Sequence, residues 1–101
     1  MGSIKEKLTQ LIKSNKVIIF SRDNCGYCSA AKQLISSFKP PVSWKEYNMS
    51  REPEGPEIED ALYELTNQYT VPNIFIGGQH IGGSDDLKKL HVQGKLVNLL
   101  Q

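Results

Sequence analysis

The chain has 101 residues, 39% of them hydrophobic and 23% charged, with a net charge of +1. That size fits one domain, 1–101, with a core that needs no staples. The even balance of charge, with no basic run interleaved with aromatics, excludes a nucleic-acid or membrane-surface binder.

Ser3-Ile4-Lys5-Glu6 has the form of a capping box, and Ile4, Leu8, Leu11 and Ile12 repeat at helical spacing, so a first helix is expected to about Asn15. No apolar run approaches the roughly 20 residues needed to span a bilayer, and the charges of Lys5-Glu6-Lys7 leave no room for a secretory core. The expectation is a soluble, cytoplasmic chain. Met1-Gly2 begins like a myristoylation signal, but Glu6 stands where that pattern has Ser or Thr.

Lys16 to Ser21 is β-branched and aromatic on both faces, as in a central strand covered on both sides. Arg22-Asp23-Asn24 ends it. From Cys25 to about Phe38, the apolar positions Ala31, Leu34, Ile35 and Phe38 form a helical stripe that Pro40-Pro41 stops. Val42 to Asn48 alternates like a partly exposed strand. Strand, helix, strand in this order predicts a right-handed βαβ unit with two parallel strands.

Pro56 fits a first helical position, Glu57, Glu59 and Asp60 complement the helix dipole, and Ile58, Ala61, Leu62 and Leu65 form the stripe of a helix ending near Tyr69. Asn73 to Ile76, Gly77-Gly78 and Gln79 to Ile81 read as a hairpin. Ser84-Asp85-Asp86 opens a last helix that closes near Gly94 and continues as Lys95 to Leu100.

The chemistry centres on Cys25-Gly26-Tyr27-Cys28, which holds both cysteines of the chain. At a strand-to-helix junction, Cys25 faces the unpaired N–H groups and partial positive charge of the first helical turn, which favour thiolate over thiol. Cys25 is therefore the expected nucleophile. Cys28 lies one turn deeper on the same face and is the expected resolving thiol. Arg22 adds positive charge or holds a substrate carboxylate. The bland alternatives are a pair of inert buried thiols, a solvated arginine and an ordinary helix cap at Ser84-Asp85. A zinc site from Cys25, Cys28, His80 and His91 is poor, because ten residues separate the histidines where three to five are usual.

The CxxC motif at the first strand's end, Thr70-Val71-Pro72 before the hairpin and Gly82-Gly83-Ser84-Asp85-Asp86 after it resemble a dithiol glutaredoxin from about Lys16 to Leu96. The resemblance implies an α/β thioredoxin-like fold: a four-stranded mixed sheet, a parallel βαβ plus an antiparallel hairpin, flanked by four to five helices. It implies a glutathione-disulfide oxidoreductase that uses glutathione to reduce glutathionylated proteins and small or protein disulfides. It places the backbone of Val71, before a cis Pro72, against the cysteine part of glutathione. The N–H groups of Ser84 and Asp85 would hold one glutathione carboxylate, with the Asp85 side chain on the ammonium group. Arg22 and Gln68 match the family's positions for the other carboxylate, Tyr27 would lie against the ligand, and Thr70 and Gly83 are further expected glutathione contacts. Many relatives carry Lys where Arg22 stands.

Gly26 departs from the family's commoner Pro and leaves that turn less restrained. The resemblance therefore carries an alternative to a monomeric enzyme, a homodimer bridged by a [2Fe-2S] cluster on Cys25 and glutathione. A further alternative is a thioredoxin served by a reductase; Arg22, Ser84-Asp85 and the lack of a Trp before the motif argue against it.

Overall fold

The computed structural model describes residues 3–101; Met1-Gly2, and with it the lipidation question, lies outside them. Nine elements follow one another: α1 (Ile4–Ser14), β1 (Val17–Ser21), α2 (Gly26–Ser36), β2 (Lys45–Asn48), α3 (Gly55–Thr66), β3 (Asn73–Ile76), β4 (Gln79–Gly82), α4 (Ser84–Val92) and α5 (Leu96–Leu99). The strands form one sheet in the order β2-β1-β3-β4. β1 pairs parallel with β2, from Ile18 opposite Lys45 to Ser21 opposite Asn48, and antiparallel with β3. The β3–β4 hairpin completes the sheet. This is the expected thioredoxin-like arrangement, with five helices.

β1 explains the layers. All five of its residues are buried, and successive side chains enter opposite faces of the sheet. Ile18 and Phe20 join Leu8, Ile12, Ile58, Leu62 and Phe75 under α1 and α3. Val17 and Ile19 join Ala31, Ile35, Ile74, Leu87 and Leu96 under α2, α4 and α5. Phe20 meets Phe75 edge-on, with ring centroids 6.0 Å apart. Removing a buried ring of this kind costs about 3–5 kcal/mol, so β1 is held rigidly and its carboxyl end is a firm base for the motif.

Ser3 and Glu6 make both halves of the capping box. Elsewhere the structure moves several boundaries. Lys16 precedes β1, and Val42 to Trp44 lie outside β2. The β1–β2 register begins at Ile18, and Val42 and Trp44 pack against the cluster under α2 instead. Cys25 is the N-cap of α2 rather than its first helical residue. α3 ends at Thr66 because Asn67 turns left-handed, φ +60°, a conformation Asn tolerates better than most residues. Leu65, expected in the stripe of α3, is 60% exposed. Gly83, not Ser84, is the N-cap of α4, and α5 is a separate short turn. Among the described residues, no helix is long and apolar enough to cross a membrane.

Candidate active site

β1 delivers the chain to a short loop in which Asn24 adopts φ +58°. Asp23 anchors that loop: it accepts hydrogen bonds from Asn48 Nδ2 at 3.0 Å and Arg51 Nε at 2.9 Å, and its N–H donates to Ser50 Oγ. Those two donors to its carboxylate hold Asp23 below its ordinary pKa.

Cys25 then caps α2 with extended backbone, and its Sγ accepts the N–H of Cys28 at 3.2 Å. The two cysteines form a disulfide, with Cα atoms 5.2 Å apart. Cys25 is half-buried and Cys28 is only 2% exposed. Attack from outside therefore meets Cys25.

A second wall comes from the segment between α3 and β3. Val71 O lies 3.8 Å from Cys25 Sγ, and the Val71–Pro72 bond is cis, as expected from the resemblance. Gln68 Nε2 donates to Thr70 O at 3.1 Å and to Pro72 O at 3.2 Å, so this side chain braces the wall from within. Asn73, fully buried, donates from Nδ2 to Thr66 Oγ1, while its Oδ1 accepts from His80 Nε2 at 2.9 Å. That acceptor places the imidazole proton on Nε2. Burial pushes the His80 pKa down, opposed by Asp86.

The start of α4 is the third wall. Gly82 has φ +117°, and a Cβ there would collide with Asp86 Oδ2. That oxygen accepts the Gly83 N–H at 2.9 Å and squares off the helix end. Ser84 and Asp85 occupy the first helical positions, whose N–H groups have no partner within the helix.

The three walls enclose an open groove of about 390 Å³. Tyr27 lines it from the motif, Gln68, Thr70, Val71 and Pro72 from the second wall, and Gly83, Ser84, Asp85 and Asp86 from the third. Every residue expected near glutathione is thus brought together except Arg22. The Arg22 guanidinium is paired with Glu59 of α3 and donates to Tyr69 O, outside the groove lining. Its charge is therefore partly engaged by Glu59 rather than given wholly to the positive field expected beside Cys25 or left solvated.

Sequence reasoning missed Glu59, Asn73 and the bracing role of Asp86. Asp86 had a readable signal, an acid three positions after Gly83. The Glu59 and Asn73 contacts join segments distant in sequence and had none. For a metal, Cys25 offers one accessible sulfur. Among the described residues, no three of His, Cys, Asp and Glu stand together in a way that could hold an ion.

Comparison with known proteins decides the family. The sequence model of the family described as Glutaredoxin matches residues 17–81. The chain belongs to the glutaredoxin family. It is 43% identical over 94 residues to a glutaredoxin of Vernicia fordii, covering 93% of this chain and 88% of the relative. It is 41% identical over 95 residues to glutaredoxin-C2 of Arabidopsis thaliana, covering 94% and 84%. The crystal structure of a buckwheat glutaredoxin–glutathione complex superposes with a TM-score of 0.90 at 41% identity, covering 96% of this chain and 86% of that one. With the paired cysteines in place, this glutaredoxin is a thiol–disulfide oxidoreductase.

Proposed function

We propose that this glutaredoxin draws its reducing equivalents from glutathione and acts on protein–glutathione mixed disulfides, and on small or protein disulfides. The observation that carries the proposal is the groove beside Cys25. An extended peptide chain laid along Val71 meets backbone donors and acceptors, and the N–H groups of Ser84 and Asp85 suit a carboxylate. Glutathione bound to the buckwheat relative supports the same reading.

In the one-thiol route, the Cys25 thiolate attacks the glutathione sulfur of a mixed disulfide. A Cys25–glutathione bond forms, and the protein sulfur leaves as a thiolate that takes a proton from water. The thiolate of a second glutathione then attacks the glutathione sulfur held on Cys25, forming glutathione disulfide and restoring the Cys25 thiolate. With a protein disulfide, Cys28 attacks the Cys25 sulfur of the mixed disulfide. This forms the Cys25–Cys28 bond seen here, which two glutathiones reduce. Such cycling suits a reducing compartment such as the cytoplasm.

Cys28→Ser should retain removal of glutathione from a peptide, whereas Cys25→Ser should abolish it. Equal loss in both variants would refute this division of roles. Faster reduction of the disulfide by thioredoxin reductase than by glutathione would favour the thioredoxin reading instead.

A [2Fe-2S] cluster is a subordinate reading. Cys25 is half-buried rather than sealed, and Gly26 has open space around its α-carbon. Cys25 would supply one ligand, and a second copy of the chain and two glutathiones the other three, in line with four-thiolate ligation of such clusters. A colourless monomer after anaerobic treatment with iron, sulfide and glutathione would reject it.

A further inference from the structure

The pairing of Arg22 with Glu59 has a consequence for substrate binding. Nε and one terminal nitrogen of Arg22 both face Glu59 Oε2, and that terminal nitrogen also donates to Tyr69 O at 3.0 Å. Arg22 precedes Cys25 by three residues, and Tyr69 precedes Val71, the neighbour of Cys25 Sγ, by two. The guanidinium therefore ties together the two segments that meet at the reactive sulfur. Through Tyr69 O it meets the chain between Gln68 and Thr70, which both line the groove, although Arg22 is not itself a lining residue.

α3 builds this arrangement from one face. Glu59 and Tyr63 are four residues apart, hence neighbours on the helix surface. Glu59 takes Arg22, and the Tyr63 ring stacks on Tyr69 with centroids 3.8 Å apart and planes 18° from parallel. The stack helps fix Tyr69 where its carbonyl receives Arg22. The Arg22 and Glu59 side chains are 38% and 30% exposed, so solvent and solutes reach the pair.

We propose that Glu59 is a specificity-determining residue: an internal carboxylate that occupies Arg22 until a carboxylate of the substrate displaces it. The proposal rests on the glutathione reading above and adds a control to it. Exchange of one carboxylate for another on a guanidinium preserves the charge-assisted hydrogen bonds, so Arg22 contributes to binding only the difference between the two. Glu59 thereby weakens the hold on carboxylate-bearing substrates and re-forms its pair as the product departs. Substrates without that carboxylate leave the pair intact.

The test is steady-state kinetics with two peptide disulfides, one carrying glutathione and one carrying glutathione amidated at its glycine carboxylate. Glu59→Gln should lower KM for the first about two- to fivefold, the range expected of a partly exposed ion pair. It should leave kcat unchanged and KM for the amidated substrate unmoved. Arg22→Gln should raise KM for the first substrate and make Glu59→Gln silent in the double variant. The proposal is overturned if Glu59→Gln raises KM as Arg22→Gln does, leaves it unchanged, or lowers it equally for both substrates. Equal turnover of glutathionyl and cysteinyl mixed disulfides by the unaltered protein would instead sink the glutathione reading. The Glu59 proposal then stands or falls on the same comparison made with a peptide disulfide bearing or lacking a carboxylate beside its sulfur.

Discussion

The two ends of α2 make an instructive pair. At its amino end lies the 390 Å³ groove with the disulfide at its edge; beyond its carboxyl end lies a larger hollow of about 460 Å³. The larger one is lined by Phe38, Val42, Val97 and Leu100, with Lys16 bound to Gln101 O at 3.0 Å. It has volume but no thiol in its lining, and it faces the end of the helix where carbonyls, not N–H groups, are left over. The amino end has less space but a sulfur, a set of backbone donors and the favourable end of the dipole. Chemistry in this molecule follows the direction of the helix rather than the size of the cavity.

The sharpest break of that comparison is a pair of substitutions. Cys25→Ser should remove turnover altogether. Leu100→Ala should leave kcat/KM of the folded protein within about twofold while lowering stability by about 2–3 kcal/mol, read by urea denaturation. Lost turnover in folded Leu100→Ala would mean that the far hollow takes part in catalysis.

Next in size is Gly82→Ala. Its Cβ would enter a left-handed backbone position and collide with Asp86. A destabilisation of about 1–3 kcal/mol is expected, together with a raised KM for glutathionylated peptide. An unchanged melting curve would show that the α4 wall is not pinned as described. Asp86→Ala, which removes the acceptor of the Gly83 N–H, should cost about 1 kcal/mol in thermal unfolding. If it costs nothing, the cap is decorative.

The smallest effect is in acid. Glu46 on β2 links β1 and the middle of α2, accepting from Ser21 Oγ at 2.6 Å and Lys32 Nζ at 3.0 Å. Burial alone would raise its pKa, but these two donors and the Lys32 charge outweigh it, and the net shift is downward. A carboxylate held below its unfolded value contributes stability above that value and loses it as pH falls through the folded one. Glu46→Gln should therefore flatten the decline of the urea midpoint between about pH 5 and pH 3. An unaltered acid limb would assign that decline elsewhere, with Asp23 the next candidate.

Most of the fold could be read from the sequence because its elements carry strong local signals: the box at Ser3 and Glu6, the doubly apolar β1, and the glycine pair of the hairpin. The disulfide pair and the groove residues were readable through the order of three motifs. What escaped depended on partners far along the chain. Val42 and Trp44 alternate like a strand, yet they fill the cluster under α2. Leu65 keeps the helical period of α3 but stays exposed at an open hollow that it shares with Lys5, Leu8 and Thr9 of α1. Arg22 had the right charge for a ligand, and only the packed structure reveals that Glu59 reaches it first.

The sheet order also bears on how the protein behaves when crowded. Its outer strands, β2 and β4, are four residues each and carry Lys45, Glu46, Gln79 and His80. Short, charged or polar margins offer a poor template for strand addition by another chain. Encounters between copies at high concentration should therefore leave the sheets separate and resist fibrous association, even while the reactive sulfur trades partners.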